Sequence, residues 1–187
     1  LVESNMGIYW TTHMRFEKSL LEDGVWQDAK ESGCRYLHFG YESGVERVLQ
    51  LMDKATTTAI MTEHLKRTAE AGIWNHCMGF FGFPGETKEE AWQSVQFLEQ
   101  NKQHVHSLGF GTFDLGRHNP VAKHPEKWGV TAYKNPEWDL ALDYYFTVKN
   151  GMSIEEAERV FQQFEQNHYR SEEHTSELQS HLNLVCR

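Results

Sequence analysis

Apolar residues along the chain fall into short blocks separated by longer amphipathic stretches. The densest block starts at Ile73-Trp74 and Cys77-Met78 and continues through Phe83. A short, aromatic-rich run of this kind predicts a strand buried on both faces. Gly82 would let another group approach the backbone closely. Pro84-Gly85 ends the strand in a turn, and Thr87 with Glu90 forms a capping-box pattern that opens a helix over 88–101, with Ala91, Val95 and Leu98 on one face.

The rest of the chain follows the same rhythm. Residues 7–12 read as a strand, followed by a capping-box pattern at Ser19 and Glu22 and a helix that carries Leu21, Val25 and Ala29 and stops at Gly33. Residues 36–41 read as the next strand, and Ser43 with Glu46 opens a helix bearing Val45, Val48, Leu49 and Met52. After a polar break at Thr56-Thr57-Thr58, a helix over 59–71 ends at Gly72. Residues 105–113 form a strand weakened by Gly109 and Gly111, and 114–137 read as a loop around Pro120, Pro125 and Pro136. Residues 138–148 read as a helix, and Ser153 with Glu156 opens a last one running to about 167. Four strand-helix alternations followed by helices predict an α/β fold with a parallel sheet and right-handed crossovers. Periodicity leaves an open wound sheet and part of a (β/α) barrel equally allowed.

Composition narrows the class of function. The chain has 187 residues, ordinary apolar content and a formal net charge of -9, which argues against disorder and against a general nucleic-acid binder. No apolar run is long enough to span a bilayer as a helix, and residues 1–4 do not start a signal peptide. Cys34, Cys77 and Cys186 are too widely spaced for a disulfide framework or a metal knuckle, so a reduced, cytoplasmic setting is the default.

From Arg170 the character changes. Residues 170–187 read, codon by codon, as the translation of a common short-read sequencing adapter, with the sample index falling across His181 to Asn183. This tail is set aside as a non-native scar. The expected organisation is therefore an α/β unit over 1–134, a helical extension over 135–169 and the adapter-like tail over 170–187.

Candidate chemistry gathers where strands give way to helices. Glu42 and Ser43 sit at such a junction, where free backbone N–H groups suit a carboxylate or phosphate and Glu42 can accept from an ammonium or a ribose hydroxyl. The plainer reading is a capping Ser43 and a solvated Glu42, and local pattern alone favours it. Gly82, Phe83 and Pro84 could support a flat ring, and Arg15 could pair with a carboxylate; each has an equally ordinary structural role. His104, His106, His118 and His124 lack metal-site spacing, and no serine lies in a nucleophile-elbow context.

Taken together, two segments resemble the radical SAM superfamily, in particular its Elp3/MiaB/NifB-type core and the BchE-like, cobalamin-linked branch. Gly33-Cys34-Arg35-Tyr36-Leu37-His38-Phe39-Gly40-Tyr41-Glu42-Ser43-Gly44, with Val48-Leu49 and Lys54, is similar to that family's G-x-E-S-G segment. Ala71-Gly72-Ile73 followed by the stretch from Gly79 to Thr87 is similar to its G-x-P-G-E-T strand and turn, and Trp10 with Arg15 fits a preceding W…R pattern. Asp139 to Glu165, including Gly151-Met152-Ser153, resembles its helical extension.

The resemblance implies a partial radical SAM (β/α) barrel of TIM type, its later strand-helix units, with S-adenosylmethionine lying across the strand ends. By the same resemblance Glu42 and Ser43 contact its ribose or methionine part with help from Arg15. Gly82, Phe83 and Pro84 pack on the adenine, and Phe113 closes the adenine site from the next strand. The implied activity is reductive cleavage of S-adenosylmethionine by a [4Fe-4S] cluster to a 5'-deoxyadenosyl radical. An electron donor such as ferredoxin or flavodoxin, an unidentified small-molecule substrate and, in the full-length protein, cobalamin are implied with it. The family's CxxxCxxC cluster motif is absent from these residues. The chain therefore reads as a fragment, inactive alone, whose cluster segment and first barrel strands would precede Leu1. An unrelated phosphate- or nucleotide-binding (β/α) barrel and a non-catalytic binding or scaffold remnant are the competing readings.

Overall fold

The computed structural model describes residues 7–133 and 142–168. Four parallel strands stand in sequence order, β1 (Trp10–Met14), β2 (Cys34–Glu42), β3 (Trp74–Phe81) and β4 (Ser107–Thr112). Between them run α1 (Val25–Glu31), α2 (Glu46–Leu51), α3 (Thr58–Glu70) and α4 (Lys88–Gln100). The alternation read from the sequence is thus the alternation of the fold, and the four-stranded sheet is an open wall rather than a closed barrel.

One face of this wall is the core. On β2, Leu37, Phe39 and Tyr41 point to the helix side with Cys77 of β3, and they pack against Met61 and Leu65 of α3 and Phe97 and Leu98 of α4. Each large apolar side chain so buried contributes roughly 1.5–3 kcal/mol. The strand period of two sends Tyr36, His38 and Gly40 of β2, and His76, Met78 and Phe80 of β3, to the other face, where they are only half-buried. The double-sided burial expected for the Phe83 run is therefore corrected. Asn75 and His76 interrupt the run, and helices cover one side of it.

The second half departs further from expectation. Residues read as a loop contain β5 (Leu115–Gly116), the short α5 (Pro120–Lys123) and β6 (Val130–Tyr133). The helix expected over 138–148 is instead β7 (Asp143–Val148) where it is described; residues 134–141 lie outside the described part. Asp143-Tyr144-Tyr145-Phe146-Thr147-Val148 is rich in aromatic and β-branched residues, which the pleated surface favours. These strands form an antiparallel sheet in the order β5-β7-β6. Its core of Leu115, Val121, Val130 and Phe146 joins Phe83 and Phe113, so it sits on the carboxyl ends of β3 and β4. The last helix, α6 (Ile154–His168), packs Ala157, Val160 and Phe164 beside Phe81 and Val95. The adapter-like tail lies outside the described residues.

Local signals met mixed fates. Thr87 and Glu90 form both bonds of the predicted capping box, as do Ser153 and Glu156. Ser19 and Glu22 do not: Ser19 lies in a 3-10 turn, Lys18–Leu21, and α1 starts only after Gly24 at φ 87°. Ser43 does not cap α2 either, whose N-cap is Val45 with no side-chain cap bond.

Candidate functional site

The carboxyl ends of all four parallel strands converge on the candidate residues. Arg15 follows β1, Glu42 closes β2, Gly82-Phe83-Pro84 follows β3 and Phe113 follows β4. This is the edge of an α/β sheet where ligands bind, because the side chains and loops there diverge from a rigid support.

Glu42 is the most constrained of them. The β2–β3 register shifts between Gly40 and Glu42, and Glu42 takes φ 61°, a left-handed conformation unusual for a residue with a side chain. Holding a non-glycine residue there costs about 1–2 kcal/mol, and such strain concentrates at functional sites. The shift lays its carboxylate back over Gly40, where an added Cβ would stand 3.2 Å from Oε1. The same oxygen accepts from Lys54 Nζ at 3.0 Å. Lys54 is aimed by the end of α2. Its N–H bonds the Leu49 carbonyl at 2.9 Å while Asp53, at φ 56°, donates to the Gln50 carbonyl. That is a Schellman closure with aspartate in the position usually held by glycine.

Ser43 faces the other way. It is fully buried, and its hydroxyl shares a hydrogen bond with Ser94 Oγ at 2.9 Å and accepts from Val45 N. Ser94 Oγ also accepts from Gly44 N at 3.0 Å, and the Ser94 carbonyl accepts from the Tyr41 hydroxyl at 2.7 Å. Gly44 has no room for a side chain, since a Cβ would meet Phe97 Cβ at 2.6 Å. The Ser43-Gly44 pair therefore docks the strand end on α4, and only Glu42 turns outward from this segment.

The β3 turn is held from every side. Gly82 takes φ 86° and donates to Glu86 Oε2 at 2.7 Å. A Cβ on Gly82 would stand 2.6 Å from Ala157 Cβ, so the close approach that glycine permits is that of α6. Arg47 donates to the Gly85 carbonyl at 2.7 Å and pairs with Glu90, tying α2 to α4. Gly151, at φ 90°, lies flush on the turn: its Cβ would meet Glu86 O at 2.7 Å and Gly85 N at 2.8 Å. Phe83 and Phe113 meet edge to face at 5.3 Å, and Pro84 is buried beside them. Arg15 is exposed at the end of β1, while its neighbour Phe16 stacks on Phe39 at 4.4 Å.

Two features escaped the sequence reading. Glu86 is fully buried, its Oε1 has no hydrogen-bond partner among the described residues, and burial pushes its carboxyl up to about 7, with the Gly82 and Phe83 N–H groups opposing. Its only signal was its place after Pro84-Gly85. The second is a row of histidines, His13, His38 and His76, set side by side by the strand registers. Single histidines in three separate strands carry no sequence spacing that would link them.

Cysteine placement bears on a cluster. Cys34 and Cys77 are fully buried among the core residues on the helix side, and burial raises both thiols, Cys77 to about 12. Buried thiols of this kind are poor metal ligands, and among the described residues no group of three or more His, Cys, Asp or Glu converges as a metal site. These residues do not fit a [4Fe-4S] cluster. The strand-end edge, with an outward carboxylate, an exposed arginine and a glycine-proline turn, has groups of the kind a zwitterionic nucleoside ligand pairs with. No described helix is long and apolar enough to cross a membrane.

Comparison with known proteins agrees with this architecture. Residues 6–98 match the model of the Radical SAM superfamily. An uncharacterized methyltransferase of Pyrococcus horikoshii is 30% identical over 100 residues, which are 52% of this chain and 21% of that protein. Among solved structures, the radical S-adenosylmethionine methyltransferase TsrM of Kitasatospora setae, with tryptophan substrate and a SAM analog bound, aligns at TM-score 0.55 and 17% identity. That alignment covers 67% of this chain and 25% of TsrM. The radical SAM coproporphyrinogen III oxidase HemN of Escherichia coli aligns at TM-score 0.60 and 14% identity, covering 86% of this chain and 32% of HemN. Elp3 of Methanocaldococcus infernus aligns at 0.56 and 12%, covering 86% and 42%. The chain thus spans a minor part of each relative, and at these identities the structural likeness speaks to fold alone.

Proposed function

Because residues 6–98 form a Radical SAM superfamily domain, we propose that this chain is the S-adenosylmethionine-binding part of a radical SAM enzyme. The observation that carries the reading is the strained Glu42, held at φ 61° at the end of β2 with Lys54 beside it. A fold that needed only a sheet would not keep glutamate in that conformation. When bound with a [4Fe-4S] cluster, S-adenosylmethionine supplies a 5'-deoxyadenosyl radical.

The chain's own residues bind and orient the cofactor. The Glu42 carboxylate accepts from the ribose hydroxyls or the methionine ammonium, and the hydrogen bond from Lys54 fixes its rotamer. Arg15 pairs with the methionine carboxylate. The Gly82-Phe83-Pro84 turn, made rigid by Glu86, Arg47 and Gly151, forms the adenine wall, with Phe113 behind it. Ser43 serves the site by anchoring the Glu42 turn to α4. The antiparallel β5-β7-β6 sheet covers the far side of Phe83 and Phe113 and keeps water from that edge. The cluster ligands are not among these residues, and the chain contributes no step of the cleavage itself. Methyl transfer is the reaction class we favour, supported by the Pyrococcus horikoshii relative being described as a methyltransferase.

Calorimetric titration of the chain with S-adenosylmethionine tests the reading. Binding is expected, with Glu42→Gln weakening it at least tenfold. Unchanged affinity in that variant removes Glu42 from the site, and no binding by the parent chain sinks the proposal.

A further inference from the structure

The face of the parallel sheet turned away from its helices carries an arrangement that the cofactor reading leaves unused. His13, His38, His76 and Ser107 are partners in register on four adjacent strands, so one level of the wall presents three imidazoles and a hydroxyl in a row. The rings touch. His13 stacks on His38 with centroids 4.4 Å apart and an interplanar angle of 10°, and His38 meets His76 edge to face at 5.3 Å. Tyr36 leans on His38 at 4.5 Å. Gly109 leaves the room that the His76 ring takes, since a Cβ there would stand 2.7 Å from Nε2.

Resting on the reading of this edge as a cofactor site, we propose that the histidine row binds a carboxylate group of the molecule on which the enzyme acts. Three imidazoles side by side with no acid among them are poorly suited to structure alone, because protonating one disfavours protonating the next. Among the described residues, the groups facing the row are few. On the same face, Glu42 stands two strand positions beyond Gly40 and is held by Lys54. Arg15 is exposed two residues beyond His13. Behind the sheet lie the fully buried Leu37, Phe39 and Cys77, and the Cys77 thiol is neutral. Burial, then the neighbouring imidazoles, hold His38 and His76 below the usual histidine range. An incoming anion supplies the missing countercharge and draws a proton onto the row.

The hydroxyl relay beside the row accommodates that proton. Ser107 Oγ lies 2.8 Å from His76 Nδ1 and 3.0 Å from the Tyr36 hydroxyl. With neutral His76, Tyr36 donates to Ser107 and Ser107 donates to Nδ1. With protonated His76, Nδ1–H donates to Ser107 and Ser107 donates to Tyr36. The relay reverses without breaking. A carboxylate suits the row because its paired oxygens can accept from two neighbouring ring N–H groups at once.

The test is side-chain NMR of the histidines in the chain, titrated from pH 5.5 to 8 with sodium benzoate, with benzamide and inorganic phosphate as separate arms. Benzoate is expected to shift His13, His38 and His76 and to raise the midpoints of His38 and His76. Its affinity should fall about tenfold per pH unit between the free and the raised midpoints, as uptake of one proton requires. Benzamide should leave them unmoved. His76→Phe should abolish the response, and His13→Ala, at an exposed position, should weaken it several-fold in a chain that still folds. Equal responses to benzoate and benzamide, or silent histidines, overturn the inference, and a response to phosphate alone replaces carboxylate by phosphate and so overturns it too. S-adenosylmethionine binding is measured on the same samples. Intact cofactor binding with silent histidines rejects this inference alone, whereas loss of both rejects the cofactor reading as well.

Discussion

The backbone nitrogen of Gly82 donates to the carboxyl of Glu86 at 2.7 Å, closing the Phe83-Pro84-Gly85 turn from inside. The acceptor is a buried acid, and burial raises its pKa from 4.5 to about 7 although the Gly82 and Phe83 N–H groups and Arg47 oppose the shift. The folded-state value exceeds the unfolded one, so the stabilisation is complete below pH 4.5 and is lost as pH rises to about 7. The linked loss is on the order of 3 kcal/mol over that window. Thermal melts of the parent chain should therefore fall between pH 5 and pH 7 more steeply than those of Glu86→Gln, whose amide oxygen still accepts from Gly82. Glu86→Ala should be less stable than Glu86→Gln by about 1–3 kcal/mol, the cost of an unpaired buried N–H. Parallel pH profiles for parent and Glu86→Gln would show that Glu86 titrates normally.

Glu42 makes a prediction that separates fold from function. In regular structure alanine is more stable than glycine by about 0.5–1 kcal/mol. At φ 61° the order should invert. Glu42→Gly is expected to be more stable than Glu42→Ala by about 1 kcal/mol in urea denaturation, because only glycine escapes the left-handed penalty. Both variants should lose cofactor affinity to the same extent, since both lack the carboxylate. A more stable Glu42→Ala would mean that the backbone there is not strained.

These two residues also show how far the sequence could be read. The alternation of parallel strands with helices and the Thr87–Glu90 capping box were legible because each depends on neighbours in the chain. The pattern at Ser43 and Glu46 looked the same, yet the Ser43 hydroxyl binds Ser94, 51 positions away, and the cap never forms. Local spacing cannot reveal a competitor brought by tertiary packing. The histidine row was invisible for the same reason, since register across separate strands creates it. The strand at Asp143–Val148 is a different failure: its aromatic and β-branched content was present in the sequence, and the helix read over 138–148 passed over it.

The contact between Gly82 and Ala157 predicts a measurable coupling. Gly82→Ala adds a Cβ 2.6 Å from that of Ala157 and forces a side chain onto φ 86°. The two effects should cost about 1–3 kcal/mol for overpacking and about 1–2 kcal/mol for strain. Ala157→Gly removes the first and leaves the second, at about 1 kcal/mol for glycine in a helix. A double-mutant cycle by chemical denaturation should return about 1–2 kcal/mol of favourable coupling. Additive costs would show that α6 does not press on the turn.

Gly151 extends the argument to the second sheet. Its Cα faces the Gly85–Glu86 peptide so closely that a Cβ would overlap Gly85 N, Glu86 N and Glu86 O, all within 2.9 Å. Two backbone bonds flank the contact, Gly85 N to Asn150 O at 3.2 Å and Met152 N to Glu86 O at 2.8 Å. None of these atoms belongs to a flexible side chain, so neither partner can yield without shifting backbone. Gly151→Ala should therefore cost about 2–4 kcal/mol from strain and overpacking together. The damage should also be local. Native-state hydrogen exchange is expected to speed at Gly85 and Met152 and along β7, while Leu37 and Phe39, in the sheet core, stay protected. Cofactor affinity should fall with it, because the adenine wall loses its backing while Glu42 keeps its place. Faster exchange spread evenly over β2 and β7 would show instead that the turn carries no separate element and that the whole chain opens as one.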